Sequence, residues 1–171
     1  EPIFSPREPG AAGEEAFGDP LVWLADLNGD GLDDLVRLRS GRVEYWPGLG
    51  HGRFGAPVMM TGSPRVPDLV TDPGRTFLMD VNGDGCADLV HVSPGGIRIH
   101  FNRNGSGFSD PVVIDTVPAP IPGSVRAVNM NGQARAGLVW NSMRGRSIGY
   151  VQLEFGEAVP ASLLAGIDNG S

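Results

Sequence analysis

Short apolar runs separated by glycine- and proline-containing turns dominate this chain. Leu35, Val36 and Leu38 lie in one run, and Val43, Tyr45 and Trp46 in the next, with Ser40-Gly41 between them. Farther on, Ile97, Ile99 and Phe101 alternate with Arg98 and His100. A period of two places alternate side chains on opposite faces of a strand, so this stretch predicts a half-buried β-strand. Glycines in the turns supply the positive φ that tight hairpins need. No long 3.6-residue pattern occurs, so little helix is expected.

The same arrangement recurs. Asp26-Leu-Asn-Gly-Asp-Gly-Leu-Asp-Asp34 reappears 54 residues later as Asp80-Val-Asn-Gly-Asp-Gly-Cys-Ala-Asp88. A weaker copy, Asn129-Met-Asn-Gly-Gln-Ala-Arg-Ala-Gly137, follows after another 49 residues. Each copy enters from an apolar stretch and leaves into a strand start: Leu35-Val36, Leu89-Val90 or Leu138-Val139. A returning strand and a Gly-rich turn follow, then a last strand such as Val58-Met59-Met60 or Val112-Val113-Ile114. Four short strands per unit is the content of one propeller blade. The expected fold is therefore all-β, with about three four-stranded antiparallel blades forming part of a propeller. The expected units are residues 21–62, 63–117 and 118–158. Residues 1–20 precede them as the possible end of another blade, and residues 159–171 follow as a linker. Proline-rich stretches at 63–73 and 117–122 separate the units.

Composition changes this picture little. Gly (26) and Pro (15) make up about a quarter of 171 residues, but 40% of the chain is apolar and gathered into runs. Turn-rich β structure therefore fits better than disorder. The net charge of −7 argues against binding nucleic acid or an anionic membrane. No apolar run nears the ~20 residues of a membrane span. No signal peptide is visible at Glu1, and the chain reads as part of something longer. The single cysteine, Cys86, excludes an internal disulfide.

Much of the acid lies in the two complete loops, where its spacing suits calcium. Calcium takes about 6–8 oxygen ligands, including carboxylates, amide oxygens and backbone carbonyls. Asp26, Asn28 and Asp30 occupy loop positions 1, 3 and 5. Leu32 would offer its carbonyl at position 7, and Asp34 at position 9 closes the site. Asp80, Asn82, Asp84, the Cys86 carbonyl and Asp88 repeat the set. Gly31 and Gly85 at position 6 permit the sharp turn. An EF-hand would need glutamate at position 12, where Arg37 and His91 stand, and flanking helices. A dockerin module would likewise continue into helices. An Asx-rich surface turn without metal is the remaining alternative. In the third copy Gln133 and Gly137 replace two acids and Arg135 adds a positive charge, so no ion is expected there. The ion then braces the unit without being required by it.

Other residues point away from catalysis. Trp23, Trp46 and Trp140 sit in strand patterns and read as core, with a sugar-binding face as the alternative. His51, His91 and His100 are too scattered for a zinc site and read as surface or strand-face residues. Cys86 has no base that would mark it as a nucleophile. Arg144-Gly-Arg146 reads as a hairpin turn. No phosphate loop and no nucleophile–base pairing is present, so no enzyme is expected.

Two resemblances follow from these residues. The Asp-x-Asn-x-Asp-Gly-x-x-Asp loops, with Phe54-Gly55-Ala56-Pro57, resemble the FG-GAP/VCBS-type repeat of β-propellers, whose calcium ligands fall on the loop residues named above. Phe108-Ser-Asp-Pro111 departs from that pattern at the glycine. The stretch from Ala136 through Trp140 to Ser142, Pro160-Ala-Ser-Leu-Leu164 and Gly166-Ile-Asp-Asn-Gly170 resembles the B component of bacterial insecticidal Tc toxins and SpvB-type virulence proteins. Arg42-Val-Glu-Tyr-Trp-Pro-Gly-Leu-Gly50 and Gly52-Arg-Phe54 resemble the same family. This implies a secreted bacterial toxin part: a propeller on a shell that encloses a toxic region and docks on a pore-forming component. An integrin-like or lectin-like module that binds protein or carbohydrate at a cell surface is the alternative.

Overall fold

The computed structural model describes Asp19 and residues 21–115, 124–128, 137–141, 148–152 and 163–164. The third loop copy, the Arg144–Arg146 turn and nearly all of the N-terminal and C-terminal segments lie outside these residues.

Among the described residues, twelve strands form three antiparallel meanders. In the first sheet β1 (Val22–Ala25), β2 (Asp34–Arg39), β3 (Arg42–Trp46) and β4 (Val58–Met60) pair in chain order. The second repeats this with β5 (Thr76–Met79), β6 (Asp88–Ser93), β7 (Gly96–His100) and β8 (Val112–Ile114). The third pairs β9 (Arg126–Val128), β10 (Gly137–Asn141), β11 (Ile148–Gln152) and β12 (Leu163–Leu164). Helical structure among the described residues is one 3₁₀ turn, Pro73–Arg75. The strands fall where the apolar runs predict them, and the register repeats: Leu24 faces Leu35 in the first sheet and Leu78 faces Leu89 in the second. The ends of the repeated motif also match, because Gly48 bridges Phe54 as Asn102 bridges Phe108.

Alternation along the strands sends one set of side chains to each neighbouring sheet. Val36, Leu38, Val43 and Tyr45 of the first sheet meet Leu89 and Phe108 of the second unit in one core. Val90, Val92, Ile97 and Ile99 turn the other way and meet Leu138 and Trp140 of the third sheet. The middle sheet is thus buried on both faces, which explains why β6 is buried from Asp88 through Val92. Each fully buried Leu, Ile or Val contributes about 1.5–3 kcal/mol.

The proline-rich connection at 63–75 is bound to its surroundings. Val66 and Leu69 enter the first core, while Gly41 donates to the Pro64 carbonyl and Val66 to the Ser40 hydroxyl. Asp68 then reaches His91, which also meets the Thr76 hydroxyl, both at 3.1 Å. His91 is therefore a strand residue, as expected, but not a surface one. It is buried, because the polar partners that satisfy its ring come from the connection and from β5.

The first two units also join edge to edge. Thr61 donates its N–H to Ser106 and accepts one from Phe108, at 3.0 and 2.9 Å. Tight contacts here require glycine. A Cβ at Gly105 would lie 2.4 Å from the Tyr45 hydroxyl, at a φ of +73°. Gly105→Ala should therefore lower stability by about 1–3 kcal/mol. Adding Tyr45→Phe should restore part of the loss, because it removes the clashing oxygen and leaves the backbone strain. Denaturant melts of the single and double variants check this, and the absence of rescue would refute the packing argument.

Candidate cation loops

Each loop sits between the first and second strands of its sheet, residues 26–33 and 80–87. The start is organised by Asp26, whose two oxygens accept the N–H groups of Gly29 and Gly31, both at 2.7 Å. Asp80 does the same for Gly83 and Gly85 at 2.6 and 3.0 Å. The middle is a pair of Asx turns. Asn28 accepts from Asp30 N–H and Asp30 from Leu32 N–H, each at 2.9 Å. Asn82 accepts from Asp84 N–H, and Asp84 from Cys86 N–H, at 2.9 and 2.8 Å. Gly31 and Gly85 hold φ of +83° and +87°, where a side chain would be strained.

Position 9 has a second task that its spacing does not reveal. Asp34 is fully buried, and its oxygens accept Leu27 N–H at 2.9 Å and Gly48 N–H at 2.8 Å. Asp88, equally buried, accepts Val81 N–H at 3.2 Å and Asn102 N–H at 2.8 Å. Each carboxylate ties the loop's beginning to the end of the third strand. Burial raises the pKa of Asp34 and pushes that of Asp88 up to about 7; the backbone donors oppose this shift, and the loop acids add to it.

Among the described residues, no group of three or more His, Cys, Asp or Glu side chains converges to hold a metal. The loop oxygens are instead held by backbone N–H groups and, at one oxygen each of Asp30 and Asp84, by the side-chain amides of Asn28 and Asn82. The donor set still fits a hard cation. It consists of Asp and Asn oxygens and carbonyls, and each carboxylate oxygen that accepts one N–H keeps a second lone pair. Asp30 and Asp84 are exposed, Asp26 and Asp80 half-buried, so solvent reaches the loop mouths. The side chains at position 7 differ: Leu32 is exposed and Cys86 is buried against Gly29. Burial pushes the Cys86 thiol up to about 11, which leaves it protonated and unreactive at neutral pH.

Sequence reasoning missed two polar features. One is the chain Asp68–His91–Thr76, in which burial lowers the His91 pKa and keeps the ring neutral. Thr76 is only 3% exposed, which closes it to a substrate. The other is Asn102, whose buried amide donates to the carbonyls of Leu27 and Ala87. An asparagine at the end of a strand gives no local signal of a partner 75 residues away.

No protein-family model and no curated protein matches the sequence. Solved structures do. A TcdB2-TccC3 crystal structure matches 79% of this chain at 27% identity and a TM-score of 0.68. A second, without the hypervariable C-terminal region, matches 71% at 29% identity and a TM-score of 0.62. The Photorhabdus luminescens Tc holotoxin pore matches 84% at 27% identity and a TM-score of 0.64. This chain spans only 6–7% of those chains. An Agrocybe aegerita lectin that recognises non-reducing terminal N-acetylglucosamine matches 77% of this chain and 34% of its own, at 19% identity and a TM-score of 0.57, a likeness of fold alone. The fold is thus related to that of Tc toxin chains.

The Asp88 shift predicts a pH dependence. An unfolded carboxyl titrates near 3.8 and the folded one near 7. The folded state therefore holds a proton that the unfolded state has lost between these values. This contribution to stability is complete below about pH 4 and is lost as pH rises through 7. In chelator, the melting temperature should fall between pH 5 and 8, and Asp88→Asn should flatten the slope. An unchanged slope in the variant would assign the dependence to other groups.

Proposed function

We propose that this chain is a non-enzymatic, calcium-braced segment of a β-propeller, built from FG-GAP/VCBS-type blades, that serves as scaffold or docking part of a larger secreted Tc/SpvB-type toxin assembly. The observation that carries the reading is the placement of two matched oxygen-rich loops at the same corner of two meanders that share a core. Likeness to chains of Tc toxin structures supports the toxin setting. A structural role accords with the closed-off Thr76 and the protonated Cys86 thiol. Calcium would neutralise carboxylates that otherwise repel one another, and it would compete with the proton that burial favours on Asp88.

A lectin-like role gains no comparable support. Trp46 and Trp140 are buried and Trp23 packs against the first core, so none presents an open ring for a sugar to stack on.

Native mass spectrometry in calcium should show two ions per chain. Asp30→Ala and Asp84→Ala should each remove one. Calcium at a hundred times its dissociation constant should add about 2.7 kcal/mol of stability per site. A chain that binds none would overturn the calcium reading. Capture of a Tc pore-forming component, with no signal on a glycan array, is expected for docking; the reverse result would favour the lectin-like alternative.

A further inference from the structure

Asn102 lies outside both loops yet touches both. Its backbone N–H donates to the Asp88 carboxylate of the second loop at 2.8 Å. Its side-chain amide donates to the Ala87 carbonyl at 3.0 Å and, across the joint, to the Leu27 carbonyl of the first loop at 2.8 Å. Its side-chain oxygen accepts Gly105 N–H at 2.9 Å. Both amide hydrogens are engaged, and the residue is 5% exposed, so the geometry is held without competing water. A second tie runs parallel to it, with Ala87 N–H donating to the Asp26 carbonyl at 2.7 Å. The end of the second loop therefore grips the first two residues of the first.

The repeat supplies an internal control. Gly48 stands 54 residues before Asn102 and donates its N–H to Asp34 at 2.8 Å, as Asn102 does to Asp88. The backbone bond to the position 9 carboxylate thus needs no side chain. A Cβ at Gly48 would lie 2.5 Å from the Asp33 carbonyl, so that position cannot bear one. What asparagine adds at 102 is the reach into the neighbouring loop.

We propose that Asn102 is a positioning residue shared by the two loops, so that a cation ordering one loop raises the affinity of the other. The inference rests on the calcium reading above. Filling the second loop fixes Asp88 and the 86–88 backbone, and through Asn102 and Ala87 this fixes the carbonyls of Asp26 and Leu27. Loop one then has less order left to gain when its own ion binds, which is positive coupling. By linkage the effect is reciprocal.

Calorimetric titration with calcium chloride, with the amide signals of Gly31 and Gly85 assigning each site, tests the coupling. In the unmodified chain two ions should bind, and Asp84→Ala should weaken the remaining first site about fivefold or more. In an Asn102→Gly background both sites should remain, but Asp84→Ala should weaken the first by no more than half as large a factor as in the unmodified chain, because the Ala87–Asp26 bond persists. If the glycine variant does not fold, Asn102→Ser serves in the same cycle with the same expectation. A first site indifferent to Asp84→Ala in the unmodified chain overturns the coupling while leaving the calcium reading intact. Coupling that is undiminished without Asn102 overturns the role of this residue. No binding by the unmodified chain overturns the calcium reading and the coupling together. A metal-independent readout accompanies these: Asn102→Gly should speed hydrogen exchange at Ala87 N–H about five- to tenfold, and no change would count against the tie.

Discussion

The structure turns on a carboxylate buried at the root of each loop. A charged group out of contact with water is costly unless hydrogen bonds satisfy it, and here two backbone N–H groups do so for each acid. Those donors come from separate places: the second loop residue and the residue two past the third strand. One side chain thus fixes where the loop begins, where the second strand starts and where the third strand ends. The glycine turns can then be tight and exposed without slipping, because their ends are held. A cation at the loop mouth would tighten the frame that Asp34 and Asp88 begin to set.

From this root the order passes outward. Leu27 and Val81, whose N–H groups meet the buried acids, are themselves fully buried apolar side chains. The polar root and the apolar core are therefore coupled at a single residue in each unit. The middle sheet, covered on both faces, carries this order to the first and third sheets through two separate clusters. Small residues set the spacing: Gly105 admits the Tyr45 hydroxyl, and Gly107 lies against Thr61 at the edge where the first two units pair.

Strands, hairpins and loop positions could be read from the sequence because each is written locally. Period-two alternation marks β7, Ser40-Gly41 marks the first hairpin, and the Asp and Asn spacing marks both loops. Features that depend on remote partners could not be read this way. His91 looks like an exposed member of an alternating strand until Asp68 folds back on it from the connection. The burial of Asp34 was equally hidden, since nothing in nine residues of loop shows that Gly48 will return to meet it. Asn102 shares a strand-end position with a glycine in the first unit, so the repeat itself disguised its role.

That disguise shows how the repeat acquires direction. Positions 54 residues apart have the same backbone role in the two units but different side chains where the units touch. Exposed Leu32 corresponds to Cys86, which is buried against Gly29. Exposed His51 corresponds to Gly105, under Tyr45, and half-buried Phe54 to Phe108, inside the shared core. Every one of these second-unit residues is seated on the first unit. The common pattern thus encodes the meander, and departures from it encode the joint. A strictly identical repeat would place leucine where Cys86 fits and histidine where only Gly105 fits. It would keep the strands and lose the close contact between the loops. Specificity between neighbouring units therefore resides in the positions where the repeat is least regular, and Asn102 is the second-unit position among them whose side chain donates a hydrogen bond across.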